Sequence, residues 1–116
     1  MMRDMELVRQ ILLQVEANDD PQHMVDPVVE GRGEQEVSYH VMIMQQAGLL
    51  EGMDRSAIGI FRWSASRLTW AGHEFLDAAK NEERWKSCLA KAGGASAANC
   101  ELLHHLLVQA AKGEMA

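Results

Sequence analysis

Apolar residues recur at helical spacing in several stretches of this chain. In the first, Met5, Val8, Ile11, Leu12 and Val15 follow Asp4, a residue type that favours the N-cap position. Turn formers and a proline then follow at residues 18–21, and they predict that the helix ends there. We therefore expect the chain to begin with an amphipathic helix.

A second helix is predicted to begin near Glu34. Its apolar row comprises Val37, Val41, Met44 and Ala47, with His40 beside it, and Gly48 is the expected C-terminal stop. The residues before it, 24–30, are short and β-branched and lie between Pro21 and Gly31. They predict a brief edge strand, because Pro27 has no N–H to give to a sheet.

A hairpin and further helices are predicted in the rest of the chain. Residues 49–53 and 59–68 can pair around residues 54–56, and Thr69 can cap a following helix that carries Phe75, Leu76 and Ala79. Asn81 predicts a fresh helix start after a bend. Gly93-Gly94 should interrupt the helices and Ser96 should restart them. Trp70 and Trp85 are expected in the core.

The order helix, short strand, helix, hairpin, helix is typical of a winged helix whose middle helix is shortened or missing. We predict an α+β, mostly helical winged-helix-like domain with a small β-hairpin wing and extra C-terminal helices. It should be one domain, residues 1–116, with a core over about 1–92 and a helical extension over 93–116. The final helix carries a broad leucine-rich face, which should pack over the first helix. The alternative is that this face forms a homodimer.

Composition narrows the class of protein. The chain is 47% hydrophobic, which is typical of a globular protein, and no apolar run is long enough to cross a bilayer. Charged residues near the N-terminus argue against a signal peptide, and two cysteines are too few for a disulfide scaffold. We therefore expect a cytoplasmic protein with no membrane partner.

The distribution of charge matters more than the total of −6. Residues 1–51 carry a net charge of −7, residues 52–79 are balanced, and residues 80–116 carry +1. The predicted second helix contains no Lys or Arg. Because phosphate neutralisation supplies most of the affinity of DNA-binding domains, a basic face would be expected on one, and the sequence predicts none.

No motif in the sequence predicts catalysis. His73-Glu74-Phe75-Leu76-Asp77 resembles a zinc-peptidase helix, but Asp77 stands where a second histidine is needed. Cys88, Cys100 and the His104-His105 pair lack the close cysteine spacing of structural zinc sites. A nucleophile elbow and a phosphate loop are also absent from the sequence. We expect a protein that is not an enzyme and needs no metal or cofactor.

One hypothesis is that the second helix reads DNA. Glutamine can pair with adenine edges, serine with bases or phosphate, and methionine with thymine methyl groups, while arginines on the hairpin could contact phosphates. The candidate residues are Arg32, Gln35, Ser38, Tyr39, Met42, Gln45, Arg55, Arg62 and Arg67. The fold favours this hypothesis, although the charge does not support it.

The competing hypothesis is an acidic protein-interaction module that binds and modulates a host protein, with inhibition of a defence system as one such role. An acidic surface meets a basic partner faster and in a fixed orientation. The candidate residues are Glu34, Glu36, Tyr39, Glu51 and Trp63. The charge favours this hypothesis.

Three segments carry a family resemblance. They are Arg3-Asp4-Met5-Glu6-Leu7-Val8-Arg9, then Glu36-Val37-Ser38-Tyr39-His40 with Ala47-Gly48-Leu49, and then residues 67–77 from Arg67-Leu68-Thr69-Trp70 to Asp77. In these the chain resembles the domain of unknown function 2513 family of short bacterial and prophage proteins. The resemblance implies a winged-helix-like fold and a phage or prophage setting, and brings no catalytic residues. The family tends to have a serine where Gly33 stands here. From the usual use of the fold, DNA binding or transcriptional regulation is the first expectation.

Overall fold

A computed structural model describes residues 1–115 of the chain. In order, these residues form α1 (Met5–Glu16), α2 (Glu34–Gln46), β1 (Leu50–Asp54), β2 (Trp63–Leu68), α3 (Trp70–Ala79), α4 (Glu82–Lys91) and α5 (Cys100–Met115). Within the described part, the two strands pair as an antiparallel hairpin that packs against α1, α2 and α3, and α4 and α5 pack on α3 and on each other. The mixed helix and sheet composition that the sequence predicted is therefore confirmed.

Helix α1 lies at the centre of the core. Its predicted apolar residues, Met5, Val8, Ile11, Leu12 and Val15, are all buried, and the helix packs against α2, β2 and α3. The carboxylate of Asp4 accepts hydrogen bonds from the backbone N–H groups of Glu6 and Leu7. The predicted N-cap is thus confirmed, and it satisfies two of the donors that a helix start leaves free.

Helix α2 also begins and ends where the sequence predicted. Val37, His40, Val41 and Met44 are buried, although Ala47 at the end of the predicted row is exposed. Gly48 adopts a φ of 76°, and the N–H of the next residue, Leu49, donates to the carbonyl of Met44 at 3.0 Å. This closure needs a left-handed residue, a conformation that glycine adopts at little cost.

The strand predicted over residues 24–30 is wrong. Only Val25 pairs with the hairpin, exchanging two backbone hydrogen bonds with Ala65. Pro27 cannot donate, and the N–H of Val28 donates to the side chain of Gln14 at 3.0 Å. The segment therefore lies along β2 at one residue, and side-chain contacts of Asp26 with the hairpin and of Gln14 with Val28 hold the rest of it.

The hairpin has a longer loop than predicted. β2 begins at Trp63, not at residue 59, because the hydroxyl of Ser56 accepts the backbone N–H of Arg62 and replaces a strand-to-strand bond. At the tip, Ala57 and Ile60 exchange two hydrogen bonds of 2.9 Å around Gly59. We call residues 57–61 the hairpin tip.

The predicted caps of α3 and α4 are confirmed. Thr69 accepts the N–H of Gly72, and Asn81 accepts the N–H of Arg84. The buried Trp85 is as expected, but the burial predicted for Trp70 is wrong, since 83% of it is exposed. Trp70 lies on the same face of α3 as His73, Glu74 and Asp77, opposite the buried residues.

The last helix starts later and packs elsewhere than predicted. It begins at Cys100, where the side chain of Asn99 accepts the N–H of Leu102, and not at Ser96. Leu103 and Leu107 are buried, and α5 packs chiefly against α3 and α4 rather than over α1. The C-terminal helices therefore form one packed group on the side of α3.

Candidate functional site

The site predicted from the sequence consists of α2, the residue before it and the hairpin. Arg32 precedes α2 and is bound on both sides by carboxylates. Its guanidinium donates to Glu36 at 2.6 Å and to Asp4 at 2.7 Å. The hydrogen bonds that Arg32 donates to Glu36 and Asp4 raise the pKa of Arg32 above its usual value. The charge of Arg32 is therefore compensated within the molecule, where it connects the starts of α1 and α2.

Two hairpin arginines are also held by carboxylates. Arg62 forms an ion pair with Asp26, which also accepts the hydroxyl of Ser64. Burial opposes ionisation of Asp26, but the hydrogen bonds from Ser64 and Arg62 lower its pKa overall. Arg67 pairs with Glu51 at 2.7 Å and donates to a backbone carbonyl at the same distance. Both arginines thus have acidic partners inside the chain.

Arg55 is different from the other three arginines. It contacts the hydroxyl of Ser64 at 3.4 Å, and within residues 1–115 it has no ion-pair partner. Its positive charge also helps to lower the pKa of Asp26. Of the four arginines proposed as phosphate contacts, three are therefore in ion pairs.

The predicted base-reading face of α2 is divided between solvent and the hairpin. Gln35 is exposed and Met42 is partly exposed, whereas Ser38 is buried, and its predicted solvent exposure is wrong. The Ser38 hydroxyl accepts the N–H of Trp63 at 3.2 Å, because β2 starts directly against α2. Gln45 accepts the N–H of Gly52 at 2.6 Å.

Helix α2 also carries a histidine, His40, that is fully buried and so cannot contact a ligand. Tyr39 is partly exposed and packs edge-on against His40, with ring centroids 5.8 Å apart. Nε2 of His40 accepts the N–H of Asp4 at 2.9 Å, so Nδ1 carries the proton and donates to the carbonyl of Glu36 at 2.8 Å. His40 therefore joins the starts of α1 and α2 as a neutral side chain.

The candidate residues of the protein-interaction hypothesis differ in their exposure and in their partners. Glu36 and Glu51 are in the ion pairs with Arg32 and Arg67, whereas Glu34 is exposed. Trp63 is half-buried against the core. Its Nε1–H is buried and has no hydrogen-bond acceptor among the described residues.

Exposed apolar side chains at the hairpin tip were missed by the sequence reasoning. Ile58 is fully exposed, Ile60 is 61% exposed and Phe61 is 37% exposed. Val28, on the neighbouring segment, is 79% exposed. The signal was present as an apolar run around Gly59, but the strand predicted over residues 59–68 assigned Ile60 and Phe61 to a sheet.

A groove of about 350 Å³ lies between the hairpin tip, the segment before α2 and the first turns of α2. Its apolar walls come from Val28, Val37, Ile60, Phe61 and Trp63. The polar lining includes the Asp26–Arg62 pair and Glu34. We call this the tip groove.

The metal-like motif is not assembled into a ligand set. His73 lies 4.0 Å from Glu16, and Asp77 lies 3.9 Å from Lys80. Across residues 1–115, no three His, Cys, Asp or Glu side chains are grouped so that they could hold a metal ion. In the same residues, no helix has the length and apolar character needed to span a membrane.

The chain is a small protein of mixed helix and sheet, in which a hairpin with exposed apolar side chains at its tip packs beside α2. The chain belongs to the DUF2513 family, described as "Hypothetical protein", whose model matches residues 2–98. It is similar to an "Uncharacterized protein" of Haemophilus influenzae, at 38% identity over 88 residues that cover 75% of each chain. No solved structure matches it.

Proposed function

We propose that this chain is a non-enzymatic, winged-helix-like protein that binds another protein through α2 and the hairpin. The observation that carries the proposal is the internal pairing of Arg32, Arg62 and Arg67 with carboxylates. These are three of the four expected phosphate contacts, and the fourth, Arg55, has no ion-pair partner within residues 1–115. The surface beside them is instead apolar at the hairpin tip and acidic at Glu34.

The winged-helix-like part of the proposal rests on element order and contacts. Helices α1 and α2 precede the hairpin, α3 follows it, and α2 packs against both strands. Residues 17–33, where such a fold has its middle helix, contain turns and the single pairing of Val25. The hairpin would then be the wing and α2 the helix beside it.

A protein partner is favoured over a duplex by the electrostatics of this surface. A DNA-binding face gains affinity by neutralising phosphates, and each contact requires an available cation. Residues 1–51 carry a net charge of −7, and α2 contributes Glu34 and Glu36 without a single Lys or Arg. Exposed apolar side chains beside acidic ones suit a protein surface with the opposite charge. The phage setting and a host-defence target stay predictions from the sequence.

The first experiment is a fluorescence-anisotropy titration of the chain against mixed-sequence duplex DNA at low and moderate salt. The proposal predicts no binding even at low salt. Binding that weakens steeply with salt, and that is lost in the Arg55→Ala/Arg62→Ala variant, would establish a nucleic-acid role and refute the proposal.

The second experiment asks whether this surface captures a protein. The chain is immobilised and exposed to an extract of cells that carry its gene, beside a Phe61→Ser variant and a Trp70→Ser control. Phe61 and Trp70 are both exposed aromatic residues, Phe61 at the hairpin tip and Trp70 at the start of α3, beyond the other end of β2. A partner lost with Phe61→Ser and kept with Trp70→Ser would support the proposal. Equal capture by all three would contradict it.

A further inference from the structure

We propose that the tip groove receives one apolar side chain of a partner segment that carries Lys or Arg next to that side chain. The inference rests on the proposed protein-binding function and specifies its partner. The exposed side chains of Ile60 and Phe61 line the groove together with Val28. Glu34, at the start of α2, lines the same groove.

The groove is built to bury an apolar group. Val37 and Trp63 belong to the core or pack against it, so they form a fixed floor. Ile60, Phe61 and Val28 form the walls and are 61%, 37% and 79% exposed. Exposed apolar patches of this kind, with a polar rim, mark interaction sites in soluble proteins. Burial of these side chains would supply most of the binding free energy.

The size of the groove limits what can enter. At about 350 Å³ it lies near the lower end of the range for small-molecule sites, which is about 300 to 1,000 Å³. A single large apolar side chain with its backbone fits a space of this size better than a whole helix does. We therefore infer an extended or turn segment with one anchoring residue.

The charge around the groove determines which residues of the partner segment can lie next to its anchoring residue. Asp26 and Arg62 compensate each other at one side. Glu34 lines the groove, and in the described part of the chain it is in no ion pair. The uncompensated charge is therefore negative, which favours basic residues on the incoming segment.

The same charges disfavour two other occupants. A nucleic acid would bring phosphates toward Glu34 without an unpaired cation lining the groove, since Arg62 is paired with Asp26. A symmetric second copy would bring two copies of the same acidic patch into one interface, without adding a cation, because the same patch meets itself across a two-fold axis. Each of these occupants becomes an outcome of the test.

The test uses the full chain and three synthetic peptides of equal length. The first has a central leucine between pairs of lysines, the second replaces the leucine with serine, and the third replaces the lysines with glutamates. The reporter is the indole N–H signal of Trp63 in a ¹H–¹⁵N NMR spectrum, assigned with a Trp63→Phe variant. We expect a saturable shift with the first peptide, and at least tenfold weaker binding of the other two.

Variants of the chain complete the test. Phe61→Ser should weaken binding of the lysine–leucine peptide at least tenfold, while Trp70→Ser leaves it unchanged. Glu34→Lys should abolish the preference for lysines over glutamates without changing the need for leucine. An equal response to all three peptides, or an unchanged charge preference in Glu34→Lys, would overturn the inference.

Other occupants would give different signatures. A Trp63 shift on adding duplex DNA, with none on adding peptide, would refute both this inference and the proposed function. A Trp63 shift that depends on protein concentration alone would identify a second copy as the occupant and overturn the inference. Absence of peptide binding, together with partner capture that depends on Phe61, would overturn only the partner chemistry and leave the proposed function standing.

Discussion

Replacing Gly72 with alanine should destabilise the chain because there is no room for a side chain at this position. Gly72 lies in the first turn of α3, where its N–H donates to the Thr69 hydroxyl at 3.0 Å. A Cβ built on Gly72 would lie 1.9 Å from the carbonyl oxygen of Leu49 and 2.9 Å from its carbonyl carbon. That oxygen also accepts the N–H of Thr69 at 3.1 Å, so it cannot move away freely.

The magnitude follows from the size of the clash. Carbon–oxygen contacts are comfortable at about 3.3 Å or more, so the two backbones must separate by about 1.4 Å. Overpacking typically costs about 1–3 kcal/mol, and a clash with hydrogen-bonded backbone belongs at the upper end. Alanine regains about 0.5–1 kcal/mol in helix propensity. We expect a net loss of about 2 kcal/mol in the free energy of unfolding.

Urea unfolding, followed through the fluorescence of the buried Trp85, measures this change. The matched control is Gly113→Ala in α5, an exposed helical position where a Cβ would meet nothing within 4 Å. The control should be unchanged or gain up to about 1 kcal/mol. If Gly72→Ala were within about 0.5 kcal/mol of the unmodified chain, the close approach of α3 to Leu49 would be refuted.

Two further substitutions test the contacts that join α1 to α2, and a third tests the N-cap of α2. His40→Leu should lower the free energy of unfolding by about 2 kcal/mol, measured by urea titration, because it leaves the Asp4 N–H without its acceptor. Burial opposes ionisation of Asp4, but the hydrogen bonds from Arg32 and the helix N–H groups lower its pKa overall. The contribution of the Asp4 carboxylate to the free energy of unfolding is therefore present above about pH 4, and it disappears as the pH falls through the folded-state pKa. Asp4→Asn should therefore cost about 1 kcal/mol at pH 7, and urea titrations at pH 7 and pH 2.5 should show the difference shrinking in acid; a constant difference would contradict the ion-pair explanation. Gly33→Ser should add about 0.5 kcal/mol to the free energy of unfolding, because Gly33 occupies the N-cap of α2 without a side-chain hydrogen bond and a Cβ there meets nothing; a lower thermal midpoint would contradict this.

Helix boundaries were predictable because their signals are local. Asp4, Thr69 and Asn81 each accept a backbone N–H two or three residues later, so the sequence around each one contains the whole interaction. Gly48 ends α2 for an equally local reason, since the turn needs a positive φ. The confirmed parts of the fold are those in which residue type and position decide the structure within a few residues.

Features that depend on distant partners were not predictable in the same way. Trp70 looks like a core residue by its type, but its position on α3 places it with His73 and Glu74 on the exposed face. Ser38 looks like part of a solvated stripe, but the start of β2 covers it. In both cases, which neighbouring element packs against the helix decides burial, and residue type alone does not supply that information.

Two hairpin arginines are paired with carboxylates that lie far from them in the sequence. Arg62 meets Asp26, 36 residues earlier, and Arg67 meets Glu51 across the hairpin. A phosphate at Arg62 would lie beside the Asp26 carboxylate, which already compensates the charge of Arg62 and would repel the phosphate. A basic residue on a protein partner faces no such competition, because it can add to Glu34, which has no ion-pair partner within residues 1–115. These contacts are the reason why we propose a basic protein segment, and not a duplex, as the partner of this surface.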